Sequence, residues 1–234
     1  MQDTAEELGR PLGRLLLVLS FTTGLIDAVS VLGLGKVFTA NMTGNIVFMG
    51  FAIAGTPGFF IWPYVAALSN FLLGAFAAGQ SGRRMAAGPI RRWLILAAIF
   101  EALALGIAAV LSLNYDPAAL SPTASLYAII GLTGIAMGFR NGTVRQLKVP
   151  DLTTTVLTLT LTGLASDASF AGGKNTNWRR RIMAVLCILA GAAIGAALVL
   201  RAGLALPLFL TGALVLISTI AFAAHPASTR VHTP

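Results

Sequence analysis

The chain contains very little charge for its length. Only 10% of its 234 residues are Asp, Glu, Lys or Arg, whereas 56% are hydrophobic and the mean hydropathy is +0.84. This composition excludes a soluble globular domain and is typical of a protein that crosses a bilayer several times.

Cysteine is almost absent, and the charge that is present is mostly basic. The single Cys187 lies in a long apolar run, which excludes an intramolecular disulfide and leaves the redox compartment open. The net charge of +8 comes from short basic clusters at the ends of apolar segments. That placement predicts membrane topology rather than a nucleic-acid surface.

Six apolar segments have the roughly twenty residues that a helix needs to cross a bilayer. They cover about 12–34, 59–80, 93–113, 126–146, 182–200 and 204–224. Two further apolar runs, 46–55 and 156–165, have only about ten residues each and are too short to span. The sequence therefore predicts an all-α polytopic membrane protein with one domain over 1–234, whose first span is not cleaved.

The basic residues decide between eight crossings and six. With eight, the arginine-rich loop 83–92 falls on the opposite side from Arg10 and Arg14 and from the cluster 174–181. If both short runs instead enter the membrane and return, fourteen of the sixteen Lys and Arg residues lie in the cytoplasm. Because basic residues favour that side, we predict six transmembrane helices, two re-entrant segments and cytoplasmic termini.

The chain also contains an internal repeat. Shifting it by 110 residues aligns 41–47 with 151–157, where a polar cluster precedes a short apolar run in both places. Each half, about 12–113 and 125–224, then holds one span, one re-entrant segment and two further spans. Three crossings are an odd number, so the halves are predicted to be inverted relative to each other, as in many transporters.

Two carboxyl groups are predicted to lie deep in the bilayer, where ionisable groups usually serve a function. Asp27 and Glu101 are each either neutral or paired with a basic residue, Arg140 being one possible partner, or they bind a coupling proton or cation. Superposing 24–27 on 138–141 aligns Asp27 with Asn141. In an inverted repeat these two side chains would approach each other at the substrate site.

The two polar breaks suggest a binding site but have a simpler explanation. Their side chains either only cap the short helices or bind a solute, and Arg140 adds positive charge nearby. Helix N-termini that point to the centre from opposite sides would suit an anion or a carboxylate group. The candidate residues are Asn41, Thr43 and Asn45 in the first break and Thr153, Thr154 and Thr155 in the second.

The threonine run continues with Thr158, Thr160 and Thr162, which alternate with leucine. Such alternation fits an extended segment, whereas threonine is also tolerated in membrane helices, and the sequence leaves both open. No nucleophile elbow, phosphate loop, zinc-protease motif or metal-ligand spacing is present. We therefore predict no enzyme activity, no catalytic residue, no cofactor and no metal.

The string 24–30 followed by Phe38-Thr39-Ala40-Asn41-Met42-Thr43-Gly44-Asn45, with 138–141 and 153–158 later, resembles the YoaK family of bacterial inner-membrane proteins. The resemblance extends over about 14–224. It implies a multi-pass protein of the bacterial inner membrane, and this family has no established substrate or catalytic residue.

Three functions remain open from the sequence. The first is a secondary transporter of a small polar or anionic solute, in which Asp27 and Asn141 face the solute and Asp27 or Glu101 carries a coupling proton. The second is a passive channel on the same frame. The third is a membrane interaction or assembly protein whose breaks only pack. The lipid bilayer is the predicted partner, a homo-oligomer is possible and nucleic acid is not expected.

Overall fold

The computed structural model describes residues 2–86, 88–147, 157–167, 172 and 178–229. These ranges form helices joined by short loops, and they contain no β-strand. The α-helices are α1 (Gln2–Gly33), α2 (Met42–Ile53), α3 (Ile61–Met85), α4 (Ile90–Leu111), α5 (Thr123–Gln146), α6 (Leu157–Ser166), α7 (Trp178–Ala202) and α8 (Ala205–Ala223). Short 3₁₀ helices follow at Ser112–Asn114 and Pro226–Thr229.

Six helices are long and apolar enough to cross a membrane, which confirms the six predicted segments. The candidate spans are Pro11–Gly33, Ile61–Met85, Ile90–Asn114, Thr123–Gln146, Trp178–Ala202 and Ala205–Ala223. The two short apolar runs are helices of 12 and 10 residues, α2 and α6. Because α6 is helical from Leu157, the alternating threonines lie on a helix and not on an extended segment.

The end of α1 is fixed by a glycine. Gly35 has a φ of +75°, a left-handed conformation that glycine adopts without steric cost. The Lys36 amide then donates to the Val31 carbonyl oxygen at 3.2 Å, which closes the last turn in a Schellman arrangement. The chain therefore turns sharply after α1 and runs back along the helix towards α2.

The spanning helices pack mainly in three pairs: α4 with α8, and the two close pairs that glycines mediate, α1 with α7 and α3 with α5. Glycines let the backbones touch at both crossings: a methyl group on Gly24 would overlap the Ile188 carbonyl oxygen, and one on Gly138 would overlap that of Phe71. Small residues at such crossings are the usual way for membrane helices to approach closely. α4 also contacts α5, and α8 also contacts α1, while α2 packs on α3 and α6 on α7.

The buried apolar side chains form two separate clusters along the bundle. In α1, the first cluster ends at Leu19 and the second begins at Ile26. In α4 and α5 the same gap separates Ala98 from Ala104 and Met137 from Val144. The apolar core is thus interrupted at one level in three helices, and polar side chains fill the gap.

Candidate functional site

A buried ion pair lies in this gap. The Arg140 side chain of α5 donates two hydrogen bonds to the Glu101 carboxylate of α4, one of them from Nε to Oε2 at 3.1 Å. Both residues are almost fully buried, at 3% and 4% exposure. The pairing of Glu101 with Arg140, one of the two interpretations of the sequence, is therefore what the structure contains.

Arg140 also binds α1. Its second terminal nitrogen donates to the Thr23 hydroxyl at 3.1 Å and to the Leu19 carbonyl oxygen at 3.3 Å. The Thr23 hydroxyl in turn donates to the same Leu19 carbonyl at 2.8 Å. One guanidinium thus ties three helices together, and removing either member of such a buried pair usually costs about 3–5 kcal/mol.

The pair lies near the middle of the spans. Glu101 is eleven residues from Ile90, the start of its candidate span, or about 16 Å along a helix axis. Thr23 is close to the centre of Pro11–Gly33. The hydrogen bonds of Arg140 are therefore formed at a depth where water is scarce and unpaired charge is expensive.

Asp27 lies one helical turn from Thr23, on the same face of α1. Its Oδ2 accepts a hydrogen bond from the Asn41 side-chain amide, whereas its Oδ1 is buried and has no partner among the described residues. Asn41 occupies the N-cap of α2 but its side chain makes no capping hydrogen bond. The amide of Asn41 is therefore used on Asp27, and the capping interpretation does not describe it.

Asn45 has a different role from Asn41. It is completely buried, its Oδ1 accepts from the Phe38 amide at 2.9 Å, and its Nδ2 donates to the Phe38 carbonyl at 2.5 Å. Asn45 therefore satisfies the backbone of the loop that leads into α2. Thr43, between the two asparagines, is exposed on the outer face of α2.

The remaining predicted site residues are not joined to this group. The Asn141 amide donates to the Met137 carbonyl of its own helix at 2.9 Å, so Asn141 and Asp27 hydrogen-bond to different partners. Thr153, Thr154 and Thr155 lie outside the described residues. The sequence analysis missed the contact between Asp27 and Asn41, and it missed Thr23, although the spacing of four residues between Thr23 and Asp27 was a usable signal.

A small cavity opens beside the ion pair on the side towards the α1 N-terminus. It has a volume of about 30 Å³ and is bordered by Glu101, Arg140, Thr143 and Thr219 among otherwise apolar side chains. The Thr143 hydroxyl is buried and has no partner among the described residues. A cavity of this size and polarity has room for about one water molecule.

Aromatic side chains and a lysine form contacts at the other end of the bundle. Lys36 Nζ lies 4.8 Å from the centroid of the Phe59 ring, so the chain before α2 touches the chain after it. The Tyr115 hydroxyl donates to the Gly33 carbonyl at 3.0 Å. Burial and the nearby Asp116 carboxylate raise the pKa of Tyr115 to about 12, so this phenol remains a donor at neutral pH.

Thr23, Asp27, Asn41, Glu101 and Arg140 are called the polar centre below. Six apolar helices around a buried polar centre define a multi-pass α-helical membrane protein. The chain belongs to the family described as "Protein of unknown function (DUF1275)", whose sequence profile matches residues 15–221. It is 32% identical over 179 residues to UPF0700 transmembrane protein YoaK of Bacillus subtilis (strain 168), covering 75% of this chain and 77% of that protein. No solved structure matches.

Proposed function

We propose that this protein is a secondary transporter of the bacterial inner membrane, built from two inverted repeats, that moves a small polar solute by alternating access around the polar centre. The observation that carries the proposal is a carboxyl group inside the first candidate span, Asp27, which lies near a buried ion pair and has one buried oxygen without a partner among the described residues. Such groups are rare in membrane spans unless they bind a solute or carry protons.

The duplication is supported by the two glycine crossings. Gly24 of α1 meets Ile188 of α7, and Gly138 of α5 meets Phe71 of α3. The members on α1 and α5 differ by 114 residues, and those on α7 and α3 differ by 117. The reciprocal contacts obey the same shifts: Gly191 meets Phe21 and Leu25, and Gly74 meets Ile135 and Phe139. Each crossing is thus repeated residue for residue by the other half, in the register that aligns Asp27 with Asn141.

The inversion depends on α2 returning to the side that it entered from. The contact of Lys36 with Phe59 supports this, because the two ends of the segment meet. Between those ends the chain reaches inwards to Asp27 through Asn41. With α2 and α6 both re-entrant, each half has three spans and the second half is upside down. The positive-inside tendency then gives cytoplasmic termini.

The electrostatics of the polar centre favour a neutral or cationic solute over an anionic one. The charge of Arg140 is already balanced by Glu101. The N-terminus of α2, which would attract an anion, faces the Asp27 carboxylate of the protein itself. When Asp27 is protonated, an added anion finds no unbalanced positive charge at the centre, and when Asp27 is ionised, the carboxylate repels the anion in a medium of low dielectric.

The small cavity bears on the alternative of a passive channel. It lies beside the ion pair and holds about 30 Å³, while Lys36, Phe59 and Tyr115 form contacts at the opposite end of the bundle. A volume of this size has room for about one water molecule, whereas a passive channel needs a continuous water-filled path. This favours a transporter over a channel.

The proposal is tested in proteoliposomes loaded with a pH-sensitive dye. Pools of neutral, cationic and anionic solutes are added outside, and we expect one pool to cause a saturable, solute-dependent change of internal pH. Asp27→Asn should abolish the change, whereas Asp116→Asn, the same substitution on an exposed loop, should leave it intact. A flux that never saturates would indicate a channel, and no flux with any pool would indicate an interaction protein.

A further inference from the structure

The polar centre contains more acid than base. Within the described residues, Asp27 and Glu101 are its carboxylates and Arg140 is its cation. α2 and α8 carry no ionisable side chain. In α3 and α7, Tyr64 and Cys187 are uncharged when protonated, and the arginines lie at the helix ends. The centre therefore has net charge −1 if both carboxylates are ionised.

A net charge at this depth is unfavourable, because moving an uncompensated ion from water into a low-dielectric interior costs several kcal/mol. One proton on either carboxylate makes the centre neutral. Two carboxylates that interact with one cation do not titrate independently, and the proton belongs to the pair rather than to one residue. Whether this proton can move from one carboxylate to the other depends on the geometry around Arg140.

Arg140 is positioned to serve either carboxylate. Its Nε and one terminal nitrogen hold Glu101, while the other terminal nitrogen is on Thr23. Asp27 is four residues beyond Thr23 on the same helix face, about 6 Å away along the axis, and its Oδ1 is buried without a partner among the described residues. Arg140 therefore already binds a residue one helical turn from Asp27, and exchanging Glu101 for Asp27 requires a change of the Arg140 rotamer.

We infer that Asp27 and Glu101 share one proton and that Arg140 pairs with whichever of the two carboxylates is ionised. In the described arrangement Asp27 carries the proton and Arg140 binds ionised Glu101. When the proton passes from the Asp27 carboxyl group to the Glu101 carboxylate, Arg140 leaves Glu101 and pairs with ionised Asp27. The centre holds two carboxylates, one guanidinium and one proton in both states, so no net charge is buried.

The inference deepens the proposed function by making the polar centre the coupling site, but it can be tested without any transport. Infrared spectra of the purified protein in lipid vesicles measure the carbonyl band of protonated carboxylic acids, which shifts on deuteration. At neutral pH we expect one buried acid in the wild type. Asp27→Asn should remove the band, because Glu101 stays paired with Arg140.

The decisive variant is Glu101→Gln. With Glu101 neutral, Arg140 should pair with Asp27, so that Asp27 ionises and the band is lost here as well. Arg140→Gln should double the band, since both carboxylates then need a proton. The control Asp116→Asn should keep the wild-type band.

Several results would overturn the inference. A Glu101→Gln spectrum that keeps the wild-type band means that Asp27 holds its own proton and Arg140 does not move to it. A wild type without the band means that Asp27 is ionised. Gel filtration provides a second test, because it reports whether each variant folds. Asp27→Asn and Glu101→Gln should each fold, since Arg140 retains one carboxylate in both. The double variant Asp27→Asn/Glu101→Gln should not fold, since it leaves Arg140 without a carboxylate. A Glu101→Gln chain that fails to fold therefore also contradicts the inference.

If the bands behave as expected but no solute drives a pH change, the shared proton stands and the transport proposal fails. If transport occurs but Glu101→Gln keeps the band, the transport proposal is supported and the inference that Asp27 and Glu101 share a proton is wrong.

Discussion

Asn45 provides the sharpest test of how the first break is held together. The side chain is completely buried and bonds the amide and the carbonyl of Phe38 at 2.9 and 2.5 Å. Asn45→Ala leaves both backbone groups without these partners at membrane depth. Each unsatisfied buried group costs about 1–3 kcal/mol, so the free energy of unfolding should fall by about 2–6 kcal/mol.

The assay is reversible unfolding in mixed micelles, with the denaturing detergent increased stepwise and helicity followed by circular dichroism. Thr43→Ala is the matched control, because Thr43 lies two residues earlier in α2 and is exposed. Substitutions at such sites usually change stability by less than about 0.5 kcal/mol. If Asn45→Ala is no less stable than Thr43→Ala, the Phe38 backbone is satisfied in another way and the reasoning is wrong.

Two further predictions concern helix packing and topology. Gly138→Ala should sharply lower the folded yield, because the added methyl overlaps the Phe71 backbone, whereas Gly106→Ala, which meets open space, should leave the yield unchanged; equal yields would contradict the close crossing. Thr56→Cys in a Cys187→Ala background should react with an impermeant maleimide in intact spheroplasts, as the outer turn after α2 requires. If Thr56→Cys reacts only after the membrane is permeabilised, this turn lies in the cytoplasm and the two halves are not inverted relative to each other.

The helices were predictable because their signal is local. Twenty apolar residues between basic clusters describe a span whatever its neighbours are, and all six predicted segments are candidate spans in the structure. The two short runs were also found, as α2 and α6. The alternating threonines left a helix and an extended segment both open, because a period of two is visible in the sequence while the helical state of α6 depends on its surroundings.

The polar centre was only partly predictable. A carboxylate and an arginine at depth suggest a pair, and Glu101 with Arg140 is that pair. The hydrogen-bond partner of Asp27 could not be predicted from the sequence in this way. The internal repeat aligned Asp27 with Asn141, but alignment between halves says which positions are equivalent and not which ones touch. The actual partner, Asn41, depends on the sharp turn at Gly35, which brings the chain back to the middle of α1.

The two close helix pairs have a consequence for how the protein is made. Each pair takes one helix from each half, so neither half encloses its own core. α1 is the most buried of the six candidate spans, at 67%, yet its main partner α7 begins only at Trp178. The nascent α1 leaves the ribosome long before that partner exists, and must wait in the bilayer or beside an insertase with its glycine face uncovered. Biogenesis of this protein is therefore completed only when the last two helices arrive.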